Sequence, residues 1–83
     1  MILKTEIIRF WLTHHYLRKL GKFHPNFLTE LVKEITDNKN AQKVMQKRYI
    51  DNEKFESIAI SMNVDVRYVF RLHKQVIDKL IEI

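Results

Sequence analysis

Cysteine is absent from the chain, and glycine and proline occur once each. Without thiols there are no disulfides and no thiolate metal sites. A small domain lacking such staples points to a reducing compartment. One Gly and one Pro cannot supply the many tight turns of a β-sandwich or barrel, which need residues at positive or fixed φ. A glycine-rich phosphate loop is excluded for the same reason. No stretch approaches the ~20 apolar residues that span a bilayer. At the N-terminus Glu6 and Arg9 interrupt the apolar residues and no basic segment precedes them, so no secretion signal is read. The expected location is the cytoplasm, with no membrane partner.

What remains is a chain of 83 residues, 46% hydrophobic and 30% charged, the composition of a globular protein and not of a disordered one. A single domain of this size buries roughly 60–65% of its unfolded surface, so it needs efficient packing or a partner. It has no room for a cofactor-binding unit beside a catalytic domain. Fifteen Lys and Arg against ten Asp and Glu give a net charge of +5, a modest bias toward polyanionic partners.

Apolar periodicity predicts about five helices and no strand. In the first, about Leu3 to Leu20, one face carries Leu3, Ile7, Phe10, His14 and Leu17. A second stripe carries Ile8, Leu12 and Tyr16, with Trp11 between. Such a helix is central to the fold, or one stripe meets another chain. Gly21 follows Arg18-Lys19-Leu20, the expected placing of a glycine just past a helix end. Pro25 or Asn26 starts a second helix to about Asp37, with Phe27, Leu28, Leu31, Val32 and Ile35 as its apolar stripe. Asp37 to Asn40 reads as a loop dividing an N-terminal segment, 1–40, from a C-terminal one, 41–83. Asn40 is the expected cap of a third helix, about Ala41 to Ile50, whose face carries Ala41, Val44, Met45, Arg48 and Tyr49. A fourth helix covers about Lys54 to Met62, with Phe55, Ile58, Ala59 and Met62 on its apolar side. The fifth runs from Val66 to about Glu82, with Val66, Val69, Leu72, Val76, Ile77 and Leu80 inward.

Residues 55–69 hold the most informative pattern: helix, three-residue turn, capped helix. Ala59 is small where two helices cross closely. Asn63 tolerates the left-handed conformation that leaves the first helix. Val64 is the apolar residue of the turn, Asp65 caps the next helix, and Val69 returns to the core. Together they predict a helix-turn-helix.

From about Gln42 to Leu80 the chain resembles region four of the housekeeping bacterial sigma factors, a family that includes short phage and mobile-element regulators. The resemblance is carried by Val44, Met45, Arg48-Tyr49, Phe55, Ile58-Ala59, Met62, Val64, Val66 and Val69, then Leu72, Ile77 and Leu80. It implies an all-α, tri-helical helix-turn-helix that reads double-stranded promoter DNA in the major groove and touches RNA polymerase. The implied recognition helix starts at Val66, with Val66, Arg67, Tyr68, Phe70, Arg71 and Lys74 toward the groove. Arg67 and Arg71, one turn apart, suit bidentate contact with guanine or phosphate. Lys43, Lys47 and Lys54 are expected to supply flanking backbone contacts. The chain departs from the family at Asn63, where Gly is usual, and at Tyr68 and Phe70, which put aromatic bulk on the DNA side. Residues 1–40 resemble no sigma region, so the chain is not a complete sigma factor.

No other constellation carries chemistry. His14, His15, His24 and His73 fit no closed zinc spacing and are expected at the surface or half-buried, so no metal and no cofactor is expected. Ser57 and Ser61 lack a glycine-flanked nucleophile elbow. Glu30 and Glu34 read as a solvated helix face, and Trp11 with Phe10 as core. The expected function is therefore a non-enzymatic, DNA-binding transcriptional regulator with no small-molecule substrate. Ile8, Trp11, Leu12 and Tyr16 are the expected contact for a homodimer or another partner, since such proteins often read two half-sites. A protein-binding module that targets RNA polymerase, a sigma factor or a host defence complex is the alternative, favoured by the aromatics at Tyr68 and Phe70.

Overall fold

A computed structural model of the chain describes residues 4–82, with side chains from Trp11 onward. Five helices follow one another: α1 (Lys4–Phe23), α2 (Pro25–Ile35), α3 (Lys39–Tyr49), α4 (Phe55–Met62) and α5 (Val66–Glu82). There is no strand among the described residues. The all-α class expected from the glycine and proline counts is the class observed. Leu3 and the side chains of Ile7, Ile8 and Phe10, placed above on the two stripes of the first helix, lie outside the described residues.

The helices share one core, to which each contributes. Leu17 and Leu20 come from α1, Leu28 and Val32 from α2, and Ala41, Val44, Met45 and Tyr49 from α3. Ile58 and Ala59 of α4 join Val69, Leu72, Val76 and Ile77 of α5. Full burial of each Val, Leu or Ile contributes about 1.5–3 kcal/mol. α1 and α2 pack on α3 and α5 as well as on each other, so the core crosses the loop at 36–38.

Gly21 does not end α1, contrary to expectation. The helix runs on to Phe23, and the His24 N–H closes it on the Leu20 carbonyl at 2.7 Å. A Cβ on Gly21 would overlap the Tyr49 carbonyl group and stand 3.2 Å from Tyr49 Cβ. The glycine therefore serves the close approach of α1 to the end of α3, and not a turn. Pro25 opens α2, where a missing N–H costs nothing. On α2 the buried stripe is Leu28 and Val32 with half-buried Leu31 and Ile35; Phe27, expected in it, is 57% exposed.

The cap of α3 is Asn38, not Asn40. Asn38 has an extended backbone, and its Oδ1 accepts from the N–H groups of Asn40 (2.9 Å) and Ala41 (3.1 Å). At the other end of α3, Arg48 donates from Nη1 to the Glu53 carbonyl at 3.1 Å and lies 4.3 Å from the centre of the Phe55 ring. It thereby pins the connection into α4.

The α4–α5 connection is three residues long. Asn63 has φ 57° and ψ 47°, in the left-handed region. Its N–H donates to the Ile60 carbonyl at 3.1 Å, and the Val64 N–H donates to the Ala59 carbonyl at 3.0 Å. These two bonds form a Schellman ending, with Val64 packed on the core. Asp65 then starts α5, its Oδ1 accepting from the Arg67 N–H at 2.7 Å. The inner face of α5 is buried at Val69, Leu72, His73, Val76 and Ile77.

Candidate functional site

Successive residues of an α-helix turn by about 100°, so burying that inner face sends Arg67, Arg71, Lys74, Gln75 and Asp78 to the other side of α5. All are exposed except Asp78, which is half-exposed. Arg67 Nε stands 3.6 Å from Asp65 Oδ1, with side chains 87% and 61% exposed. Lys74 Nζ donates to Asp78 Oδ2 at 2.7 Å. Pairs this exposed contribute about 0–1 kcal/mol and are screened by salt, so a stronger anion displaces the carboxylate readily. Among the described residues Arg71 makes no ion pair.

Val66, Tyr68 and Phe70 occupy the flanks of that face. Val66 and Tyr68 are half-buried and pack on the core. The Tyr68 hydroxyl accepts from Asn40 Nδ2 at 3.3 Å, which ties the start of α5 to the start of α3. Phe70 is 45% exposed, its ring 5.0 Å from that of Phe55 at the start of α4. The aromatic bulk is therefore braced at the edges and leaves the middle of the outer face to the cations.

Lys43 and Lys47 project from α3 into an open cleft of about 510 Å³ beside the α4–α5 turn, bordered also by Asn40, Asp51, Ser61 and Val64. Lys43 is exposed, whereas Lys47 is half-buried and 3.5 Å from Glu53 Oε2. Lys54 precedes Phe55, at the end of α4 away from the turn, and does not line the cleft. The structure thus brings Lys43 and Lys47 beside the turn that starts α5, and sets Lys54 apart.

The outer stripe of α1 is apolar. Leu12 is 64% and Tyr16 55% exposed, and both border a shallow groove of about 270 Å³ with Thr13, Leu17 and Leu80. Trp11, expected in the core, is 61% exposed; it turns away from this stripe and sets its ring edge-on to His14, centroids 6.0 Å apart. The side chain of Ile8 lies outside the described residues.

A further cluster escaped the sequence reading. Tyr49, fully buried on α3, stands between His14 of α1 and His73 of α5. Its hydroxyl is 2.8 Å from His14 Nδ1 and 2.6 Å from His73 Nε2. One hydroxyl carries one proton, so Tyr49 donates to one imidazole and accepts from the other. His73, expected at the surface or half-buried, is only 6% exposed. Burial, reinforced by His14 and Arg48, holds its pKa down to about 4. His14 is lowered as well, by burial first and then by Arg48, Arg18 and His15. Burial pushes the Tyr49 phenol up. The available signal was register: His73 lies four residues from both Val69 and Ile77, on the inner side of α5.

Among the described residues no group of three or more His, Asp or Glu is placed to hold a metal ion, and no helix is long and apolar enough to cross a membrane. No family model, curated protein or solved structure matches the chain.

Proposed function

We propose that this chain is a sequence-specific, DNA-binding transcriptional regulator of the cytoplasm, of the kind that phages and mobile elements encode. It acts by binding and carries out no reaction of its own. In this reading α4 and α5 form a sigma region four-like helix-turn-helix with α5 as the recognition helix. The observation that supports it most is the segregation of α5: apolar residues seal one side, while Arg67, Arg71 and Lys74 stand in solvent on the other. Arg71 reads a base edge, suited to guanine, and Arg67 and Lys74 exchange Asp65 and Asp78 for phosphates. Lys43 and Lys47 hold the backbone beside the turn. Tyr68 and Val66 set the angle of α5, and Phe70 borders the groove. Lys54 is a peripheral phosphate contact.

A gel-shift titration with duplex fragments at two salt concentrations tests this. Wild type forms a complex that weakens steeply as salt rises, because bound cations release counterions. Arg67→Ala/Arg71→Ala binds at least about tenfold more weakly. Equal binding by the variant removes α5 from the interface.

A second reading has its own support. Leu12, Tyr16, Trp11 and Phe70 are all about half exposed or more, which suits a protein partner such as RNA polymerase, a sigma factor or a host defence complex. In the DNA reading the α1 stripe is instead the homodimer contact that pairs two half-sites. Absence of a DNA complex at low salt, with a polymerase subunit retained on the immobilised protein, favours the second reading.

A further inference from the structure

Polar side chains inside a small helical core are costly unless bonded, and the His14–Tyr49–His73 chain is bonded at both ends of one hydroxyl. It joins three helices that are distant in sequence. His14 comes from α1, Tyr49 from α3 and His73 from α5. The rings also pack. Tyr49 stacks on His73 at 5.7 Å between centroids, and the Phe55 ring of α4 meets His73 edge-on at 5.1 Å. Through His14 the chain reaches α1, and α1 meets α3 and α5, the two helices that carry Tyr49 and His73.

The geometry points to an acid-sensitive latch: the His14–Tyr49–His73 chain holds α1 on α3 and α5, and protonation of its buried imidazole releases α1 before the other helices part. The latch is independent of any DNA contact.

Proton bookkeeping gives the mechanism. In the neutral latch the Tyr49 O–H donates to His73 Nε2 and its oxygen accepts the His14 Nδ1–H. A proton added to His73 Nε2 turns it into a second donor aimed at the same oxygen. The Tyr49 O–H then loses its acceptor inside the core. The new positive charge on His73 also meets only repulsion from the groups that act on it, Arg48 of α3 and His14 of α1, and His14 in turn faces Arg18 and His15 of α1. The Phe55 ring that α4 presents carries no charge. Separating α1 from α3 lets water reach Tyr49 and His73 and takes His14 away from His73. Burial already holds His73 neutral down to about pH 4, so the closed form persists at neutral pH.

Trp11 is the single tryptophan and lies against His14, which makes it a reporter on the full chain. Its fluorescence and amide hydrogen exchange are followed from pH 7.5 to 3.5, with exchange rates corrected for intrinsic pH dependence. The latch requires a Trp11 transition with its midpoint between about pH 4 and 6. Over the same interval residues 12–22 lose at least tenfold of their protection while residues 66–80 keep theirs. His73→Phe keeps α1 protected through that interval, and His14→Gln, which leaves His73 in place, still opens. Simultaneous loss of protection in all five helices overturns the latch, as does an unchanged transition in His73→Phe. If His73→Phe does not fold, the imidazole nitrogen shifts of wild type decide. The latch requires His73 to stay neutral until Trp11 responds, and ionisation of His73 near pH 6.5 with α1 still protected contradicts it.

Discussion

α1 and α5 are the two longest helices and are sorted in opposite ways. α5 keeps its apolar residues on one side and its cations on the other, so one side is sealed and the other is wet. α1 is apolar on both: Leu17 and Leu20 are buried, while Leu12 and Tyr16 face outward. The outer side of α5 offers charges whose present carboxylate partners are weak and replaceable. The outer side of α1 offers area that only another apolar surface rewards. One small domain thus carries an electrostatic face and a hydrophobic one, on helices joined through the buried Tyr49 chain.

The contact between α1 and the rest is broken most severely at Gly21. An exposed helical Gly→Ala stabilises by roughly 0.5–1 kcal/mol, but here the added Cβ meets the Tyr49 backbone. Gly21→Ala is expected to destabilise the fold by about 3 kcal/mol, read from the urea midpoint. A midpoint equal to or above wild type contradicts the close approach of α1 to α3.

Acid acts on the same junction with comparable size. His73 has a pKa of about 4 when folded against an ordinary 6.5 when unfolded, so between those values the unfolded chain binds the extra proton. Stability is therefore independent of this group above about pH 6.5 and falls by up to about 3 kcal/mol as pH drops toward 4. Denaturant midpoints taken across pH 7.5 to 4 should show that loss, and His73→Phe should flatten it.

Local features of the sequence announced themselves, and distant pairings did not. Asn63 in the left-handed region and Asp65 as a cap were readable because each acts within three residues of itself. The outward placement of Arg67 and Arg71 was implied by the resemblance, and the 3.6-residue period of α5 agrees with it. Gly21 misled because a glycine after basic residues looks the same whether it ends a helix or lets a neighbour in. Asn38 and Asn40 carry the same side chain in one loop, and the backbone angle alone chose the cap. Trp11 and Phe27 are apolar residues at helical spacing, but spacing does not say which stripe a small core can cover. The seating of Tyr68 by Asn40, and of His73 by Tyr49, joins residues 28 and 24 positions apart. No periodicity encodes those pairings.

Two smaller changes sharpen the contrast. Asp65→Ala removes the cap of α5 and is expected to cost about 1 kcal/mol, measured by thermal or urea unfolding. On α1, Leu12→Glu puts a charge on the outer stripe and leaves stability within about 0.5 kcal/mol, because Leu12 is mostly exposed. Its effect is expected in sedimentation, as weaker self-association than wild type. A wild type that sediments as a monomer at every concentration removes the dimer from the proposal.

The most direct measurement is a backbone amide NMR titration of the full chain with duplex DNA at low salt. Binding through α5 predicts shifts concentrated at Arg67 to Gln75, with smaller ones at Lys43 and Lys47, and none at Leu12 or Tyr16. Shifts centred on α1, or no shifts at all until salt is too low to be selective, contradict it.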